Sequence, residues 1–117
     1  MKKIILLILV NFVYSFIYCQ NKIPIDAVSQ HVGETVQVCS KVFGVKSTGK
    51  ATFVNLGAQY PHSQLTVVIF AKDNENFKGS IESLYNNKQI CVTGLLRKYQ
   101  RRNEIVVTKP DQINVNE

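Results

Sequence analysis

Acidic residues are scarce in this chain: eight Asp and Glu stand against fourteen Lys and Arg in 117 residues, with only two histidines and three cysteines. These shortages exclude several kinds of chemistry. His31 and His62 share no metal-ligand spacing with each other or with a cysteine, and neither a Ser-His-Asp set nor a glycine-rich phosphate loop can be assembled. Metal-assisted phosphodiester hydrolysis needs clustered carboxylates, whereas Asp26, Glu34, Asp73, Glu75, Glu82, Glu104, Asp111 and Glu117 fall mostly at loops, a helix and the tail. The expectation is a binding protein, not an enzyme, with no metal and no cofactor. Internal repeats, low-complexity tracts and interdomain linkers are also missing.

One long hydrophobic run is present, and it lies at the start. Lys2 and Lys3 precede the apolar stretch Ile4 to Tyr18, broken only by Asn11 and Ser15, and polar residues begin at Gln20. This is the build of a secretory signal peptide over residues 1–19, cleaved near Cys19–Gln20. The run is short of the roughly 20 residues a membrane span needs, so no stable span is expected after cleavage; an uncleaved anchor is the alternative. Tyr18 ahead of Cys19, where a small residue would be needed, argues against lipidation. The expected location is periplasmic or secreted. Residues 20–117 then form a single domain of about 98 residues by that cleavage point, enough for one modest core. Without Lys2 and Lys3, twelve basic residues face eight acidic ones, a net charge of +4. Such a surplus favours polyanions and serves equally as a solubility device.

The stretch Gly33 to Gly57 reads as a hairpin. Val36, Val38 and Val42 recur at period two around Ser40, leaving Gln37, Cys39, Lys41 and Phe43 on the other face. Gly44 to Lys50 is expected as a basic loop, followed by a second strand with Val54 and Leu56 on one face and Phe53 and Asn55 on the other. Before it, Ile23 to Val32 reads as a helical lead-in with Asp26 as its N-cap and Gly33 ending it in the left-handed conformation. After the connection Ala58 to Ser63, LTVVIF at Leu65–Phe70 is a strand buried on much of both faces. Phe77, Ile81, Leu84 and Tyr85 share one side of a helix that Ser80 can cap. Lys88–Tyr99 is a fourth strand, with Gly94 at a kink or bulge; Gln100–Asn103 is a basic turn, Glu104–Thr108 a fifth strand, and Pro110 begins a polar tail. Cys39 and Cys91 both lie on the face opposite the valines. If their strands are neighbours the sulfurs can meet, which a cell's exterior favours; two half-buried free thiols are the alternative.

Five strands with one helix between the third and fourth is the plan of an all-β, five-stranded Greek-key OB-fold barrel. GETVQVCSKV, GKATFVNLG with LTVVIF, and KQICVTGLL resemble strands of anticodon-binding-type OB domains, especially those that accompany secreted bacterial nucleases. The resemblance covers Gly33 to about Val115 and implies single-stranded DNA or RNA bound, without sequence preference, on the face of the second and third strands. Phe53 stands where relatives stack an aromatic on a base. Asn55 would bond a base edge, and Lys41, Lys46, Lys50, Lys98, Arg101 and Arg102 would meet phosphates. A nuclease or an envelope protein is the implied partner. Tyr60 and His62 would form the rim of the site. Plainer roles exist: Phe53 can pack under the lead-in, Arg101 and Arg102 can be solvated turn charges, Asn55 can bridge backbone groups, and His62 can be simply exposed. The competing function is an envelope OB-fold protein that binds a protein or a small anionic ligand.

Overall fold

The computed structural model describes residues 21–116, so the expected leader and its cleavage point lie outside the described residues. Among these residues no helix is long and apolar enough to cross a membrane. The strands are β1 (Lys22–Ile23), β2 (Thr35–Ser47), β3 (Ala51–Leu56), β4 (Leu65–Phe70), β5 (Gln89–Tyr99), β6 (Arg102–Val106) and β7 (Ile113–Asn116), with one α-helix, α1 (Ile81–Tyr85).

Seven strands form one sheet, and β2 pairs with β5 as well as with β3, which makes a ring of β2, β3, β4, β6 and β5. The ring depends on a division of labour along β2. Its first half, Thr35 to Lys41, runs antiparallel to β5, and its second half, Val42 to Ser47, runs antiparallel to β3. Between the halves the register slips at Val42/Gly44, and such a bulge bends and twists a strand. β5 is divided the same way, with Gln89–Leu95 against β2 and Leu96–Tyr99 against β6. Gly94 is needed near that changeover because a Cβ there would meet Ile105 Cγ2 at 2.6 Å. The bulge expected at Gly94 is therefore found in β2, and Gly94 serves close strand approach.

The strand count differs from the five expected. The polar tail forms β7 on β5, and Lys22–Ile23 forms β1 parallel to β2. Because β1 comes first, the helix falls between the fourth and fifth strands of the chain. It is also shorter than the pattern from Phe77 implies, since Gly79 adopts φ 132° and the helix starts only after Ser80, whose Oγ accepts the Ser83 N–H at 3.1 Å. The lead-in is a 3-10 segment, Ile25–Gln30, capped positionally by Pro24, with Asp26 inside its first turn instead of at the cap. Gly33 has the expected left-handed backbone, φ 94°, which lets its N–H reach Leu96 O at 2.7 Å.

Alternation fills the interior as the sequence implies: Val36, Val38, Val42, Val54 and Leu56 are buried, and every residue of β4 except Phe70 is buried. Phe77, Ile81 and Tyr85 close the core from the helical side, with the Phe77 and Tyr85 rings edge to face at 6.3 Å.

Cys39 and Cys91 face each other directly across β2 and β5 and are bonded. Val42 N–H donates to Lys88 O, so alternation places the Cys39–Cys91 pair in the non-hydrogen-bonded class, where strands approach more closely. Their Cα atoms are 3.9 Å apart. This position gives the cysteines the close approach that most cross-strand pairs lack.

Two stability measurements follow from this packing. The bond closes a separation of 52 residues, so the Cys39→Ser/Cys91→Ser variant should lose about 2–4 kcal/mol in urea unfolding; a loss near zero would show that β2 and β5 need no staple. Burial pushes the Tyr85 phenol above its ordinary 10.0. The folded chain therefore keeps a proton that the unfolded chain loses near pH 10, and stability should fall as pH rises through about 10. Tyr85→Phe should flatten that part of the unfolding profile.

Candidate functional site

Val54, Leu56, Val67 and Ile105 point into the core, so alternation turns Asn55, Thr66 and Glu104 to the outside of the ring. Register aligns these three across β3, β4 and β6. They are nevertheless only 6%, 3% and 1% exposed, because polar groups lie over them. Thr66 Oγ1 and Ser63 Oγ donate to Asn55 Oδ1 at 3.3 and 3.4 Å. Arg97 brings Nη2 to 3.0 Å and Nε to 3.3 Å from Glu104 Oε1, and Arg102 Nη2 lies 2.8 Å from Glu104 Oε2. A buried carboxylate thus has a cation on each oxygen, the arrangement that offsets its desolvation.

The β5–β6 turn places Arg102 there. Tyr99 pairs with Arg102, leaving only Gln100 and Arg101 between the strands, with φ 47° and 70°. Two successive positive φ values suit a two-residue hairpin. The turn is two residues shorter than the expected Gln100–Asn103, so Arg102 and Asn103 belong to β6. From its new position the Arg102 guanidinium lies 5.2 Å from the centre of the Phe53 ring. Phe53 is half-buried, covered in part by Arg102, and opens onto a cavity of about 180 Å³ lined by Lys46, Thr48, Phe53, Asn55, Tyr60 and Arg102.

Lys46 reaches this cavity because β2 continues well past the expected strand end. Thr48 Oγ1 accepts the N–H groups of Lys50 and Ala51 at 3.2 Å, closing a tight turn, and the register sets Lys46 opposite Phe53. Tyr60 and Arg102 also border a second, larger groove of about 560 Å³ between the lead-in, the connection after β3 and the β5–β6 turn, where Arg101 lies.

The structure thus gathers Lys46, Phe53, Asn55 and Arg102, with Arg101 on the adjoining groove. Three expected basic residues stand apart. Lys41 lies before the bulge with its ammonium 5.5 Å from the Phe43 ring, Lys50 is in the tight turn, and Lys98 pairs in register with Asn103; none lines either cavity. Asn55 is not the open amide expected beside Phe53: its oxygen is committed to Thr66 and Ser63. Thr48 and Glu104 escaped the sequence reading. A two-residue turn at Gln100–Arg101 would have revealed Glu104, since it places Arg97 opposite Glu104. Among the described residues, no three His, Cys, Asp or Glu side chains group closely enough to hold a metal ion.

Because Arg97 and Arg102 each hold a different oxygen of Glu104, either alone still leaves the carboxylate one cation. Arg97→Gln and Arg102→Gln should therefore each cost less than half of what the double variant costs, with a coupling of about 0.5–3 kcal/mol in a double-mutant cycle read by chemical unfolding. Strict additivity would show that Glu104 is stabilised by other means.

No family model matches the chain, and no curated protein matches it. Solved structures do. An aspartyl-tRNA synthetase from Leishmania major is 16% identical at a TM-score of 0.55 over 84% of this chain, which spans only 21% of that chain. Yeast Stn1 and Ten1 give 14% identity and a TM-score of 0.60, covering 87% of this chain and 65% of that one. An OBody bound to hen egg-white lysozyme gives 16% identity and 0.61, covering 86% and 97%. At these identities the likeness is one of fold, and that fold is OB-like.

Proposed function

We propose that this chain is an exported, non-catalytic OB-fold protein that binds single-stranded nucleic acid through the outer face of β3 and the loops beside it. The ring of β2, β3, β4, β6 and β5 is then the five-stranded Greek-key barrel, with α1 between its third and fourth members. The observation that carries this reading is Phe53, half-buried with one lysine directly across the ladder and one arginine over its ring, opening onto a cavity that a larger groove adjoins. An aromatic face flanked by cations stacks bases and holds phosphates without demanding a sequence. The Arg102 guanidinium, planar and fixed by Glu104, offers a second stacking surface. The neighbours give support at the level of fold, one of them being by name a tRNA synthetase. The bonded Cys39–Cys91 pair suits an oxidising compartment and so supports export to the periplasm or beyond. The OBody bound to lysozyme favours a second reading, in which the same face takes a protein such as a nuclease or envelope partner, or a small anionic ligand.

Fluorescence anisotropy with labelled single-stranded DNA and RNA separates these readings. Binding should weaken steeply between about 50 and 200 mM salt, Phe53→Ala should cost about 1–3 kcal/mol, and Lys46→Ala should lower the salt slope by about 1. Absence of binding at low salt, or indifference to Phe53→Ala, would overturn the nucleic-acid reading and leave the protein-partner one.

A further inference from the structure

We infer that the larger groove is a base-selective subsite for one nucleotide and that it prefers cytosine to uracil. The inference rests on the nucleic-acid reading above. Size is the first consideration. At about 560 Å³ the groove falls in the range of pockets that enclose a small organic ligand, whereas the cavity at Phe53, about 180 Å³, does not. The two have Tyr60 and Arg102 in common, so a strand stacked at Phe53 passes directly into the groove.

Charge then decides which end of the nucleotide enters. Asp26 lines the groove and no acidic residue lines the cavity at Phe53. Arg101 and Arg102 line the same groove on its turn side; they attract a phosphate and the carboxylate repels it, so the phosphate stays at the turn and the base lies toward Asp26. The walls suit a base: Tyr60 is 67% exposed and can stack, and Ile25, Val28 and Pro61 are apolar.

Hydrogen bonding selects among bases. Asn103 lines the groove, and its Oδ1 is buried with no partner among the described residues. Asp26 is an acceptor in every orientation when ionised. The Asn103 amide can turn either end to a ligand, whereas Asp26 cannot, so it is Asp26 that requires a donor. The N4 amino group of cytosine supplies one and is a known match for a carboxylate; uracil places a carbonyl oxygen at the same position and would face Asp26 unpaired.

The test is anisotropy with labelled oligocytidine and oligouridine, two pyrimidine strands differing chiefly at that amino group. Wild type should bind oligocytidine about tenfold more tightly than oligouridine. Asp26→Asn, an exposed and nearly isosteric change whose amide both donates and accepts, should bring the ratio close to one, with oligouridine affinity not reduced. Equal affinity of wild type for the two strands, or a ratio that survives Asp26→Asn, overturns the subsite while leaving Phe53-dependent binding intact. Failure of both strands to bind wild type at low salt overturns the nucleic-acid reading and the subsite with it.

Discussion

Everything in this molecule depends on β2 being able to serve two partners. A straight strand of thirteen residues would hold one neighbour on each side along its whole length and give an open sheet. The bulge at Val42/Gly44 ends the pairing with β5 and begins the pairing with β3, so the sheet curls until β5, by way of β6 and β4, returns to β3. The cost of that bend falls on the first half of β2, which must stay in register with β5 while the second half turns away. The Cys39–Cys91 bond sits in that half, two residues before the register runs out at Lys41–Gln89. Closure and cross-link therefore form one device.

The outer face shows the opposite economy. The interior is filled largely with valine, leucine and isoleucine, but the outside of β3, β4 and β6 buries an amide, a hydroxyl and a carboxylate in one row. Glu104 is the expensive member, and its two arginines are each partly exposed, at 41% and 37% for their side chains. The carboxylate thus holds two guanidinium groups at the boundary with water. Arg102 gains most from this, because a long side chain tethered at its tip loses little further freedom when a ligand arrives.

The sequence made the ladder visible and hid its ends. Period-two valines in β2 and the mostly apolar run of β4, interrupted only by Thr66, placed the core correctly because alternation and burial are local signals. The tight turns were misjudged for a common reason. Lys46 and Arg102 sit in segments whose polar, glycine-bearing or basic composition reads as loop, yet Thr48 and the left-handed Gln100–Arg101 pair close each hairpin within a few residues. Strands thereby gained residues that composition assigned to loops. Asn55 illustrates a different limit: alternation turned it outward, as expected, but outward is not exposed when Thr66 and, on the connection after β3, Ser63 lie against it. The dispersal of Lys41, Lys50 and Lys98 was equally hidden, since charge along a chain carries no distance. Glu104 was legible in principle, through its pairing with Arg97 once the turn is counted as two residues.

The two short strands that the five-strand plan omits have a consequence for the molecule in bulk. Where β2 and β5 part from their ring partners, their outer ladders would stand open as templates for a second molecule. β1 occupies that border on β2 and β7 on β5. At those two borders the open side becomes that of a two-residue and a four-residue strand. Each short strand thus shortens the ladder that a second molecule could extend at its border.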